Sequence, residues 1–137
     1  MSNNNVKLSR GAGSFIILGA LFCGSAVVLG AFGAHALKSV FTMSQLSTFE
    51  VGVRYQMYHG LALLVLPSLT TYLPRTWLQR AGICFVVGCL LFSGSLYALV
   101  ATGITWFGPI TPIGGGFFII GWIMLISGAL LRNRMEK

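Results

Sequence analysis

Three stretches of the chain carry no charged residue: Gly11 to Leu37, Tyr55 to Leu73, and Ala81 to Leu131. A helix needs about 20 apolar residues to cross the hydrocarbon of a bilayer, so the first two fit one crossing each and the third is too long for one. It divides at TGITWFGPITPIGGG (102–116), where Pro109, Pro112 and three consecutive glycines disfavour a continuous helix. The pattern predicts four helices, at about 13–37, 54–73, 80–101 and 113–131, forming an all-α, four-helix transmembrane bundle in one integral membrane domain over 1–137.

Finer patterning adds detail. Between the first two helices, Thr42 with Gln45 and Ser47 with Glu50 have capping-box spacing. Leu46, Phe49, Val53 and Met57 then recur at helical intervals, predicting a short interfacial helix that leads into the second span. Lipid removes the usual hydrophobic drive for helix association, so small residues that admit close approach take its place. Ala26, Gly30 and Ala34 form such a ridge at four-residue spacing, and Gly121 and Gly128 lie seven apart on the last helix. Pro67 is expected to remove a hydrogen bond and kink the second helix.

Composition agrees with a membrane class. Of the 137 residues, 55% are hydrophobic and 8% charged, against roughly 25% charged in soluble domains. The first apolar run is longer than the roughly 7–15 residues of a signal-peptide core, so it reads as an uncleaved span. The formal charge is +7, with Glu50 and Glu136 the only acidic residues. The basic residues flank apolar runs and form no dense patch, which argues against nucleic acid and for topology signals. With four alternating helices, Lys7, Arg10, Arg75, Arg80, Arg132, Arg134 and Lys137 share one side, and Lys38 and Arg54 the other. Both termini are therefore expected in the cytoplasm, in a multi-pass protein of the bacterial inner membrane. Tyr72 and Trp77 flank the inner boundary, and Tyr55, Tyr58, Trp106 and Phe107 the outer one, whereas Trp122, well inside the fourth helix, reads as packing. Cys23, Cys84 and Cys89 lie in apolar stretches without CxxC spacing and read as buried free thiols.

This threading gathers the unusual residues in the outer leaflet. His35 ends the first helix, Glu50 and Arg54 stand at the entrance to the second, and His59 lies about 7.5 Å further in at ~1.5 Å per residue. Ser93, Ser95 and Tyr97 fall in the outer half of the third helix, and Thr105 and Thr111 in the outer loop. Residues four apart on a helix share a side. A Glu50–Arg54 ion pair, a Tyr55–His59 contact and an Arg54–Tyr58 contact are therefore allowed. The candidate ligand-binding set is His35, Glu50, Arg54, Tyr55, Tyr58, His59, Ser93, Ser95, Tyr97 and Thr111. The competing reading makes the histidines and hydroxyls interhelical glue and Arg54 a residue that snorkels to headgroups.

No further histidine, clustered carboxylates or CxxCH sequence accompanies His35 and His59, so neither a metal centre nor a haem held by these two histidines is expected. A catalytic reading would make His59 a general base beside Tyr58 or Ser95, but no orienting acid is near in sequence.

At these same residues the chain resembles a known family. GAFGAHAL (30–37), RYQMYHGLAL (54–63), LFSGSLY (91–97) and TPIGGGFFIIGW (111–122) are similar, in order, to stretches of the YgdD/YwdK-like small bacterial inner-membrane proteins, a domain of unknown function. The resemblance covers roughly residues 14–131 and implies a four-helix integral membrane protein with no established activity. It marks His35, Tyr55, Gln56, His59, Ser93, Gly94, Ser95, Tyr97, Thr111 and Pro112 as motif positions.

The expected function is a non-enzymatic accessory subunit of a larger membrane complex, or a self-associating bundle among membrane lipids. The alternative is binding or translocation of a small amphipathic molecule, a lipid or quinone, in a cleft near His35, Arg54 and His59. Transport would require an oligomer, because four spans are few and no pair of broken helices is evident.

Overall fold

The computed structural model describes residues 10–135. Lys7, Glu136 and Lys137, on which part of the charge pattern rests, lie outside the described residues. The fold is helical, with no strand among the described residues. Helix α1 (Arg10–His35) and a 3-10 turn (Leu37–Ser39) lead to α2 (Met43–Val65), which continues as a 3-10 helix (Leu66–Thr71). Helix α3 (Arg75–Gly88), a π-helical turn (Cys89–Ser93) and α4 (Gly94–Thr102) follow without a break, and α5 (Ile110–Met135) closes the chain. The result is four helical segments. Three of them, at Gly13–His35, Arg75–Thr102 and Thr105–Met135, are long and apolar enough to cross a membrane.

The expected interfacial helix is no separate element. Thr42 and Gln45 form the predicted capping box, with the Gln45 N–H donating to Thr42 Oγ1 at 3.3 Å and the Thr42 N–H to Gln45 Oε1 at 2.9 Å. From there α2 runs unbroken to Val65, and the stripe of Leu46 and Phe49 is its own buried side. Ser47 caps nothing because it already stands within the helix.

Pro67 does not kink a continuing α-helix either. The α pattern stops at Val65 and Pro67 sits in the first turn of the 3-10 segment, where its missing N–H is least costly. Hydroxyls satisfy the carbonyls around it: Ser68 donates to Val65 O at 2.7 Å and Thr70 to Pro67 O at 2.9 Å.

The break before α5 is set by Gly103, whose φ of 69° is a left-handed end that favours glycine. Pro112 falls in the first turn of α5, which starts at Ile110 rather than near 113, and Gly114, Gly115 and Gly116 lie within the helix although three consecutive glycines disfavour one. The reason is packing. A β-carbon on Gly114 would lie 2.7 Å from the Cα of Phe92, so the helix carries glycine where the π turn presses against it.

Helix α1 lies along α2, and α3 along α5, while α2 joins the two pairs through the π turn and α4. The α1–α2 contact does not follow the ridge at four-residue spacing: Ala26 is fully buried, Gly30 half-buried and Ala34 exposed. It follows Gly19, Ala26 and Gly33, seven apart, as left-handed packing requires. A β-carbon on Gly19 would lie 2.7 Å from the Gly60 carbonyl oxygen. Gly121 and Gly128 are both buried against the α3 side, as their spacing predicted. Between the pairs lies a core that includes Leu63, Leu66, Phe85 and Phe118.

Gly114 and Gly116 provide an internal comparison on one helix, because a β-carbon on Gly116 would meet nothing within 4 Å. Both Gly→Ala changes gain up to ~1 kcal/mol of helix propensity, but only Gly114→Ala overlaps backbone, a cost of about 1–3 kcal/mol. In detergent, denaturation followed by circular dichroism is expected to show Gly114→Ala less stable than the parent and Gly116→Ala no less stable. Equal stability of the two variants would refute the contact between the π turn and α5 as described.

Candidate functional site

Gln56 joins three helices. Its position on α2 buries it to 6% exposure. Its Nε2 donates to the Phe22 carbonyl at 2.9 Å and to Ser25 Oγ at 2.7 Å, both on α1, and its Oε1 accepts from the Tyr97 hydroxyl of α4 at 2.9 Å. The ring of Tyr97 packs on Phe49, with centroids 5.1 Å apart, and lies over Gly52, where any side chain would collide with it. One turn toward the middle of the third segment, the buried Ser93 hydroxyl donates to the Gly52 carbonyl at 2.7 Å. Ser95 donates to its own helix at Phe92 O (2.9 Å), and its hydroxyl lies 2.7 Å from that of Thr111, joining α4 to α5.

His59 is held on both sides. Its Nδ1 lies 2.8 Å from the Tyr55 carbonyl, and its Nε2 lies 3.2 Å from the indole nitrogen of Trp122. An indole N–H can only donate, so Nε2 accepts and the proton rests on Nδ1, which donates to the carbonyl. The imidazole is thereby neutral with both nitrogens engaged. Its face stacks on Phe118 with centroids 3.5 Å apart and 6° between planes, and Phe85 closes beneath it at 5.3 Å. The Tyr55–His59 contact allowed by their spacing forms as this hydrogen bond and a looser ring stacking at 6.2 Å.

Other expected members lie outside this buried network. His35, at the last turn of α1, is exposed, as are Glu50, Arg54 and Tyr58. Glu50 and Arg54 share no ion pair among the described residues. Both side chains are accessible, and an exposed pair gains little Coulomb energy for the rotamer freedom it gives up. Cys84 and Cys89 are buried free thiols as expected, whereas Cys23 is half-buried, its thiol 3.9 Å from the Met57 carbonyl.

Trp122 does more than pack, and sequence reasoning missed this, together with the parts of Phe85, Phe92 and Phe118. The available signal was the helical recurrence of Gly115, Phe118, Ile119 and Trp122 on one side of α5. With the α2 residues Tyr55, Tyr58 and His59, and with Phe92, these residues line an open cleft of about 540 Å³ between α2 and α5. Its walls are aromatic. The Tyr55 ring stands 4.7 Å from Phe92, and Trp122 stands 4.9 Å from Phe85.

As a metal or haem ligand His59 would have to release Trp122, and as a general base it has no free nitrogen directed to the cleft. Among the described residues no three His, Cys, Asp or Glu side chains are grouped to hold a metal.

A helical membrane protein, its interior polar groups engaged in holding helices together, is the class this arrangement defines. A family model described as "Protein of unknown function (DUF423)" matches residues 29–115. A UPF0382 membrane protein of Staphylococcus aureus is 54% identical over 114 residues, 82% of this chain and 91% of its own. One of Staphylococcus epidermidis is 49% identical over 118 residues, covering 85% and 94%. The UPF0382 membrane protein YwdK of Bacillus subtilis is 46% identical over 117 residues, covering 85% and 95%. The chain belongs to this UPF0382 family of membrane proteins of unknown function. No solved structure matches it.

Gln56→Leu removes three interhelical hydrogen bonds, each worth about 0.6 kcal/mol in a membrane protein. A loss of about 2 kcal/mol is expected on titration with sodium dodecyl sulfate, against about 0.6 kcal/mol for Tyr97→Phe. In the double variant the tyrosine change is expected to add nothing, and simple additivity would show that the two side chains are not coupled.

Proposed function

We propose that the protein is a non-enzymatic integral membrane bundle that acts by association, as an accessory subunit or as a homo-oligomer, in the bacterial inner membrane. The observation that carries this reading is His59, the one buried histidine, with both ring nitrogens bound to protein groups and its face covered by Phe118. With Gln56 and Ser93, it spends its polarity on helix geometry rather than leaving a group poised for chemistry. Around α1, Ile17, Leu21, Val28 and Phe32 are exposed in a row of large apolar residues, a face that lipid or a partner helix covers. In this reading α2 is a fourth crossing, the whole chain is one membrane domain, and the termini are cytoplasmic, as the bias of Arg75, Arg80, Arg132 and Arg134 against Lys38 and Arg54 suggests.

A second reading is favoured by the aromatic cleft. Its volume of about 540 Å³ suits a small amphipathic molecule, and its polar lining groups are few.

Purification from native membranes in mild detergent, with mass measured by light scattering, is expected to return an oligomer or a complex with another protein. A lone monomer without a partner would defeat the association reading. For the topology, Lys38→Cys is expected to react with an impermeant maleimide in intact cells and Arg75→Cys only after permeabilisation; labelling of both from one side would overturn the four-crossing arrangement.

A further inference from the structure

Helices α2 and α5 both rest on the third helical segment; their backbones stand apart, and side chains such as His59, Phe118 and Trp122 bridge them. The gap between them is a groove in two segments that share Tyr58 and Trp122 as walls. The first is the aromatic cleft. The second, of about 230 Å³, is aliphatic, lined by Leu61, Val65, Leu69 and Leu125 among others. Along α2 the groove runs from Tyr55 to Val65, a rise of about 15 Å and so about half of the roughly 30 Å hydrocarbon thickness of a bilayer. Leu66 and Leu69 of the 3-10 segment carry it about 8 Å further, so the groove is at least as long as one leaflet is thick.

The aromatic end has a charge beside it. Arg54 lies one turn before Tyr58 on the same stripe of α2 and is exposed. Glu50, a further turn out, forms no ion pair with it among the described residues, so its charge is not neutralised there. Arg54 also marks where the charge-free run of α2 begins, which is the depth of lipid headgroups if Tyr55–Leu73 fills the hydrocarbon. A neutral planar ring would use the aromatic cleft and leave the aliphatic segment and Arg54 without a role, whereas a single hydrocarbon chain carrying an anionic head engages all three.

We propose that this groove holds one acyl chain of an anionic phospholipid from the surrounding leaflet, with the phosphate at Arg54 and Tyr58. The proposal rests on the second reading above and gives its ligand a class. The aromatic walls grip the upper methylenes, and the aliphatic segment takes the chain end. A bound chain would also fill the space that α2 and α5 leave between them, coupling the two helix pairs through lipid.

The test uses the full chain in detergent with equimolar dioleoylphosphatidylglycerol and dioleoylphosphatidylcholine, counting bound lipid by native mass spectrometry. The phosphatidylglycerol adduct is expected to exceed the phosphatidylcholine adduct by about fivefold, the factor that one basic group near a membrane surface supplies. Arg54→Gln, at an exposed position, is expected to bring the ratio close to one. Gly115→Leu fills the cleft from α5; a β-carbon there meets only the Phe92 ring, at 3.7 and 3.8 Å, so the helix is expected to stay folded while both adducts fall. A ratio of one in the parent chain, with both adducts lost in Gly115→Leu, would overturn the anionic selectivity and leave the amphiphile reading standing. Undiminished adducts in a folded Gly115→Leu would overturn both. A lipid-free dimer that Gly115→Leu dissociates would assign the groove to a second copy and overturn the lipid. Should Gly115→Leu fail to fold, the response of the ratio to Arg54→Gln decides the proposal alone.

Discussion

An amide, an imidazole and several hydroxyls buried in a protein with no water around it must find partners inside that protein, and this requirement sets the rotation of each helix about its axis. Gln56 states it most fully. Its nitrogen reaches two groups of α1 and its oxygen takes the Tyr97 hydroxyl, so α1 and α4 are each tied to one face of α2. Rotating any of the three would strand a buried polar atom and give up the bonds that tie the helices together. Among the described residues no buried side-chain nitrogen or oxygen lacks a partner. The network is complete, which is the condition under which such a network specifies one geometry.

Close approach makes the network reachable. The Ser93 hydroxyl of the π turn reaches the Gly52 carbonyl at 2.7 Å, and the missing side chain of Gly52 leaves room for the Tyr97 ring, which a β-carbon there would meet at 2.8 Å. In the π turn the Gly94 N–H bonds back to the Cys89 carbonyl five residues earlier, the wide-turn pattern that often marks functional segments. It also brings the Phe92 backbone against Gly114, so one irregular turn serves both neighbours of the third segment.

Much of the fold was legible from where charge is missing. The charge-free runs located the helices, the Thr42–Gln45 spacing located the start of α2, and Gly121 and Gly128 named their own contact side. What escaped was whatever depends on a partner helix. Three consecutive glycines are a helix breaker in isolation and a packing surface beside Phe92. A proline in an apolar run suggests a kink until hydroxyls such as Ser68 and Thr70 accept the change to a 3-10 helix. For Glu50 and Arg54 the spacing permits a pair, and accessibility removes the reason to form it. In the candidate site, Tyr55, His59, Ser93, Ser95, Tyr97 and Thr111 stand in the interhelical contacts or the cleft, and Tyr58 on its rim. His35 stands apart. The decisive neighbours of His59 come from α5, and no local spacing announces a donor 63 residues away.

Helix α2 is the segment with the most polar side chains and is absent from the three that length and apolarity alone would send into a bilayer. In the four-crossing reading it has a consequence for biogenesis. Gln56 and His59 weaken the tendency of α2 to leave a translocon by itself, whereas α1, made earlier and strongly apolar, can enter lipid unaided. The Phe22 carbonyl and Ser25 hydroxyl that receive the amide are then already in place when α2 emerges. The order of synthesis thus matches the order of dependence: the helix that cannot enter alone is delivered next to the one that makes it soluble in lipid.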